Sequence, residues 1–128
     1  MSHRIPSVFI ADSPLHGLGV FAADSIIKGS IIELCPVIFL NAQDVRILQG
    51  SSLNNYYFDW DIVEKTGVIA LGYGSIYNHA YQANALYEFD KIDRQICIYA
   101  HRDIIVGEEI TINYNGSPED QTTVWFDQ

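Results

Sequence analysis

Residues 72–80 read GYGSIYNHA. Gly72 and Gly74 hinge one end of the stretch, and the adjacent pair Asn78-His79 closes the other, set among Ile76, Tyr77 and Tyr81. Such a polar pair usually sits on a surface. Within apolar surroundings it persists only if its donors and acceptors are satisfied. What holds the pair is read from what flanks it.

Upstream and downstream, the punctuation is that of a β protein. Ser7–Ala11 is a short apolar strand, followed by a turn over Pro14–Gly19 and a second strand at Val20–Ala22. Lys28-Gly29 marks a turn before the run Ser30–Leu40, where Pro36 predicts a bend or an edge position. Asn41 is placed to cap a short helix over Ala42–Leu48, closed by Gly50. Tyr56–Trp60 and Val68–Leu71 are β-prone. Ala85–Phe89 and Gln95–Ala100 form a hairpin about Asp90–Asp93, and Gly107 precedes a last strand, Glu109–Tyr114. Many short strands with at most two short helices predict a mostly β fold of several small sheets. The strands do not alternate with long helices, and neither GLG nor GYG continues into a dinucleotide fingerprint.

The chain has 128 residues, enough for one domain with one core. Its net charge of −9 argues against direct nucleic-acid binding and suits a basic partner such as a lysine-rich peptide, although solubility alone also accounts for it. No apolar run is long enough to span a membrane, and the N-terminus lacks a signal-peptide pattern, so an intracellular protein is expected. Cys35 and Cys97 stand alone among apolar neighbours and read as reduced core thiols. His3, His16, His79 and His101 are too scattered for a metal site, so no metal is expected. No nucleophile elbow is present. Eight tyrosines are many for this length; the ordinary expectation is that most pack with a bonded hydroxyl.

Three ordered blocks carry a family resemblance: HGLGVFAADSIIKGSIIE (16–33), GYGSIYNHA (72–80) followed by Asn84, and GEEITINYNG (107–116). Together they resemble the SET-domain protein lysine methyltransferases, over roughly residues 6–126. The nearest pattern is that of the minimal viral SET proteins, which lack flanking domains. The resemblance implies a β-clip fold with a C-terminal pseudoknot, in a single domain over 1–128 with a core of about 6–116 and a lid segment over 117–128. It implies S-adenosylmethionine as cofactor and a lysine-containing basic peptide or protein, by default a histone tail, as substrate. By analogy with the viral forms it also suggests a homodimer, and action in a host nucleus if the substrate is histone, otherwise in the cytoplasm.

The same resemblance assigns residues. Gly17, Leu18 and Gly19 would approach the cofactor through their backbone, although a tight turn alone would also explain the glycines. Asn78 and His79 would bind it and also hold the pseudoknot, which answers the question of what the polar pair is for. Trp125, with Phe126 beside it, would close the cofactor site in place of a zinc-bound segment whose cysteines are absent here; packing on the core or on a partner subunit is the equal alternative. Tyr56 would line the lysine channel, with Tyr73 and Tyr77 as further candidates where the viral pattern has Phe. Tyr87 stands where some members have a residue that limits how many methyl groups fit. Tyr114 is the expected catalytic residue: methyl transfer is an in-line displacement that rests on positioning and electrostatics more than on a strong base.

Ala80 replaces the usual Ser, and Ala83 the usual Pro before Asn84. Neither change removes chemistry. Two other readings compete with the enzyme: a catalytically silent SET module that binds S-adenosylmethionine or a basic peptide, and a small β-clip binding protein outside the family. Retention of Tyr114 argues against the silent module.

Overall fold

The computed structural model describes residues 7–114. Trp125, Phe126 and the lid expected over 117–128 lie outside the described residues. Within them the chain runs β1 (Val8–Asp12), β2 (Leu18–Ala22), β3 (Ile31–Leu40), α1 (Ala42–Gln49), a 3-10 turn (Ser52–Asn55), β4 (Phe58–Asp61), β5 (Thr66–Ala70), β6 (Asn78–His79), β7 (Ala85–Asp90), β8 (Gln95–Ala100) and β9 (Glu109–Ile112). The mostly β expectation is met.

The strands form two sheets, ordered β1-β2-β9-β6 and β4-β5-β3-β8-β7. The last strand of the described chain, β9, is inserted between β2 and β6. It runs antiparallel to β2 and parallel to β6, where Asn78 pairs with Thr111 and His79 with Ile112. Two residues of β6 make a weak ladder by themselves. Asn84 reinforces β9 from the side: its Nδ2 donates to the Glu109 carbonyl at 2.8 Å and its Oδ1 accepts from the Thr111 N–H at 2.9 Å. This buried carboxamide thus does for β9 what a neighbouring strand's peptide group would do.

Pro36 departs from the sequence-based expectation. It lies not on a sheet edge but inside β3, which is central in its sheet. The strand changes partners at that point. Ile31–Pro36 pair with β8, whereas Val37–Leu40 pair with β5. A residue at the handover needs no ladder N–H, so proline's missing donor is not felt. The Pro36 carbonyl still accepts from the Leu71 N–H at 2.8 Å.

The helix is capped as its sequence suggests. Asn41 Oδ1 accepts from the Asp44 N–H at 2.8 Å, and Asp44 reaches back to the Asn41 N–H at 3.2 Å, a reciprocal capping box. Between the sheets lies one apolar core that includes Val20, Val68, Ile96, Ile98, Ile104, Ile110 and Ile112, all essentially excluded from solvent. In β8 the alternation is the physical signature of its placement: Ile96, Ile98 and Ala100 face this core, and Cys97 and Tyr99 the other way. Among the described residues no helix is long and apolar enough to cross a membrane.

Candidate active site

A cleft of about 1360 Å³ opens where the two sheets meet. The loop before β2 contributes Leu15 and His16, and the first residue of β2 contributes Leu18; the segment ending in β6 contributes Ile76–His79; Tyr56, Phe58 and Trp60 form an aromatic wall, with Tyr87, Phe89 and Tyr114 beside them. The wall is tightly meshed. The Phe58 and Tyr87 rings meet edge-on at 5.2 Å, and Trp60 and Phe89 lie 4.9 Å apart.

Asn78 anchors one end. It is only 5% exposed. Its Nδ2 donates to the His16 carbonyl at 3.0 Å, the Leu18 carbonyl at 3.1 Å and Glu109 Oε2 at 2.9 Å. Three acceptors around one nitrogen fix the orientation of the carboxamide. Glu109 is in turn held by the Ser13 hydroxyl, at 2.7 and 3.0 Å from its two oxygens. Ser13 did not stand out in the sequence, and Glu109 did so only as part of the GEEITINYNG block, with no role assigned to it. They are 96 positions apart, and only the insertion of β9 beside β2 brings them together.

This network separates the two glycines of the Gly-Leu-Gly turn. Gly17 has φ +48°, a left-handed conformation, with open space where a side chain would be. It serves the turn, and its carbonyl accepts from the Ser13 N–H at 2.8 Å. Gly19 has no such backbone requirement. A Cβ there would collide with the Glu109 carboxylate and stand 3.0 Å from Ser13 Cβ. Glycine at 19 therefore leaves room for the Asn78–Glu109–Ser13 network, which a side chain there would displace.

Tyr114 stands at the other end. Its hydroxyl donates to the Tyr77 carbonyl at 2.9 Å, and its N–H donates to His79 Nδ1 at 3.0 Å. With Nδ1 accepting, the neutral His79 imidazole carries its proton on Nε2. The His79 ring packs edge-on to Tyr81, 4.5 Å between centroids. Desolvation, with Tyr56 and Tyr87 close by, pushes the Tyr114 hydroxyl up to about 12. Burial, with Asp59 nearby, also raises Tyr87, whose hydroxyl lies 3.3 Å from the Tyr114 carbonyl.

The structure therefore brings together Leu18, Asn78, His79, Tyr56, Tyr87 and Tyr114 around one cleft. Gly17 and Gly19 lie in the loop and strand that carry Leu18, not in the cleft wall. Two tyrosines depart from expectation. Tyr77 is 1% exposed, and its ring is turned into the core, where its hydroxyl donates to Glu33 Oε1 at 2.7 Å. It meets the cleft chemistry through its carbonyl instead. Tyr73 is not part of the cleft wall; it packs against the core and donates its N–H to Glu33 Oε2 at 2.9 Å. The turn from Gly72 to Tyr77 has no regular period, so which way each ring points could not be read from the sequence.

Comparison with known proteins agrees with the geometry. A family model described as the SET domain matches residues 17–115. The chain is 31% identical over 119 residues to the Schizosaccharomyces pombe histone-lysine N-methyltransferase specific for H3 lysine-37, covering 92% of this chain and 76% of that protein. It is 32% identical to the Drosophila melanogaster histone-lysine N-methyltransferase trr and 33% identical to the Saccharomyces cerevisiae histone-lysine N-methyltransferase specific for H3 lysine-4. Those matches take in 91% and 89% of this chain but only 5% and 11% of the longer proteins. Among solved structures, a Plasmodium falciparum chain described as a histone methyltransferase superposes with a TM-score of 0.72 at 33% identity, over 87% of this chain and 95% of that one.

Proposed function

Because this chain belongs to the SET domain family, we propose that it is an S-adenosylmethionine-dependent protein-lysine N-methyltransferase acting on a histone tail or another basic protein. One observation carries the reading. The Tyr114 hydroxyl, bonded to the Tyr77 carbonyl, lies in a cleft that has Asn78 and the His16–Leu18 loop at one end and the aromatic wall at the other.

The residues fit both ligands. The His16 and Leu18 carbonyls converge on Asn78, so acceptors for an ammonium group are gathered beside the cleft. S-adenosylmethionine supplies an electrophilic methyl group on a sulfonium. Tyr56, Tyr87 and Tyr114 line the cleft together, and their ring faces would suit the aliphatic stem of a lysine. The net charge of −9 favours approach of a basic segment.

The chemistry asks little acid–base strength of the protein. The amine attacks the methyl carbon through its lone pair, a C–N bond forms as the C–S bond breaks, and one proton must leave the lysine for solvent. Free lysine has a pKa of about 10.4. Desolvation against the aromatic wall disfavours the ammonium form and promotes that loss, while the Asp59 carboxylate that also lines the cleft works the other way and suits capture of the cation. Tyr114 does not take the proton by ionising, because its hydroxyl is pushed up to about 12 and stays neutral at physiological pH. Its proton is committed to the Tyr77 carbonyl, so the oxygen presents lone pairs in other directions. Those lone pairs can orient the amine and the polarised methyl hydrogens, a preorganised electrostatic role.

The test is transfer of labelled methyl from S-adenosylmethionine to histones and to a cell lysate, with wild type beside Tyr114→Phe. Transfer by the wild type that falls by about 100-fold in the variant supports the reading. No transfer by the wild type would instead favour a silent binding module.

A further inference from the structure

Glu33 is a carboxylate in the wrong place for stability. It lies on β3, 7% exposed. Among the described residues no Lys, Arg or His stands within ion-pair distance of it. A buried charge without a countercharge destabilises a core, and an apolar pair of similar volume would pack there more favourably. The Cys35 thiol on the same strand also reaches it, and two hydrogen bonds tie it to the rest of the fold: the Tyr77 hydroxyl at 2.7 Å and the Tyr73 N–H at 2.9 Å.

Both donors belong to the turn that leads into Asn78 and His79. Glu33 grips this turn near its start and at its end. Between the grips, Gly74 is seated so closely on Cys35 and Ala70 that a Cβ would stand 2.8 Å from Cys35 Sγ. The turn cannot settle deeper, and Glu33 keeps it from lifting. The atom this fixes is the Tyr77 carbonyl, which accepts the Tyr114 hydroxyl at 2.9 Å. A relay of two hydrogen bonds thus runs from the core to the cleft: Tyr77 O–H to Glu33, then Tyr114 O–H to the Tyr77 carbonyl.

We propose that Glu33 is a positioning residue for methyl transfer, acting through Tyr77 to set the direction of the Tyr114 hydroxyl. The proposal rests on the methyltransferase reading for its kinetic part and on geometry alone for its structural part. Methyl transfer needs near-linear alignment, so a small rotation of the orienting hydroxyl lowers kcat rather than ligand affinity.

Two variants isolate the link. Glu33→Gln keeps the shape, and its Oε1 can still accept from the Tyr73 N–H while its Nε2 turns the Tyr77 hydroxyl into an acceptor. Tyr77→Phe leaves Glu33 in place with its Tyr73 bond. For each, kcat and KM are measured for peptide and methyl donor. In parallel, NMR of protein labelled with ¹³C at tyrosine Cζ, with Tyr114 assigned through Tyr114→Phe, reports on that hydroxyl whether or not the protein is active. The expected result is a kcat lower by about tenfold in both variants, KM values nearly unchanged, and no further loss when the two are combined. The Tyr114 resonance moves in both. A merely structural role predicts lowered thermal stability with an unmoved Tyr114 resonance and wild-type kcat at temperatures where the protein is folded; that result overturns the proposal. If the wild type transfers no methyl, the methyltransferase reading fails separately, and the Tyr114 resonance alone decides the link. If Glu33→Gln does not fold, Tyr77→Phe decides it.

Discussion

Asn78 Nδ2 and Glu109 Oε2 stand 2.9 Å apart across the parallel pairing of β6 with β9. This one contact joins the end of the glycine-hinged turn to the last strand, and it shares its nitrogen with the His16 and Leu18 carbonyls. The segment that carries His16 and Leu18 and the strand that leads to Tyr114 are thereby fixed to the same side chain.

Replacing Asn78 with Ala removes that junction and leaves two carbonyls and a carboxylate short of a donor in a partly buried region. The expected loss is about 2–4 kcal/mol of folding stability, read from urea denaturation. Asn78→Asp is expected to be worse, since a second carboxylate would face Glu109 and both carbonyls. An Asp variant as stable as wild type would show that the network is not what holds β9.

The two glycines of the turn separate by mechanism. Gly17→Ala forces a Cβ into φ +48° with open space around it, at a cost of about 1–2 kcal/mol. Gly19→Ala meets the Glu109 carboxylate and is expected to cost roughly 1–3 kcal/mol through overpacking. Only the second should couple to Glu109→Ala. A double-mutant cycle in denaturant measures this, with an expected coupling of at least about 1 kcal/mol for Gly19 and none for Gly17.

Much of the scaffold was legible because its signals are local. Asn41 and Gly50 bracket the helix, and the β7–β8 hairpin follows from its alternation and its polar turn. Asn78 and Tyr114 could be picked out because both sit in ordered motifs, and both line the same cleft, Asn78 buried and His79 half-buried beside it. What escaped were partners distant in sequence and orientations within irregular backbone. Glu109 meets Ser13 only after β9 enters its sheet. Glu33 meets Tyr77 across 44 positions, in a strand that reads as plain apolar β. Tyr73 and Tyr77 read as channel residues because spacing identifies tyrosines, not the directions of their rings. Pro36 read as a bend or an edge because a proline in mid-strand is rarely excused by a change of partner.

Alkaline pH should destabilise this protein through its tyrosines and thiols. Tyr77, Tyr87, Tyr99 and Tyr114 are all raised in the folded state, Tyr99 and Tyr114 to about 12. Burial is the main cause at Tyr77, Tyr87 and Tyr114, and the hydrogen bond to Glu88 at Tyr99. A raised tyrosine binds its proton more tightly when folded. Its contribution is therefore full below the unfolded value of about 10 and lost as pH rises through the folded one. Cys35 and Cys97, whose thiols burial also raises, act the same way from an unfolded value of about 8.5. Denaturation midpoints should be flat from about pH 7 to 8, begin to fall near 8.5 and fall steeply between about 10 and 12. Tyr114→Phe should make the fall shallower. An unchanged slope in that variant would mean Tyr114 is not shielded as described.

The product is expected to be set at Tyr87. Its ring packs edge-on to Phe58, so its place in the wall is fixed, and its hydroxyl lies 3.3 Å from the Tyr114 carbonyl, beside the proposed reaction point. A phenolic oxygen there takes the room a second methyl group would need and can hold the amine by a hydrogen bond. The wild type should therefore stop mainly at monomethyl-lysine. Tyr87→Phe deletes one oxygen and leaves the ring packing intact, so folding stability should change by no more than about 1 kcal/mol. Mass spectrometry of a peptide carried to completion should show di- or trimethyl product rising severalfold in the variant, at a first-methyl rate close to wild type. An unchanged product ratio would place the limit elsewhere in the wall, with Tyr56 the next side chain to remove.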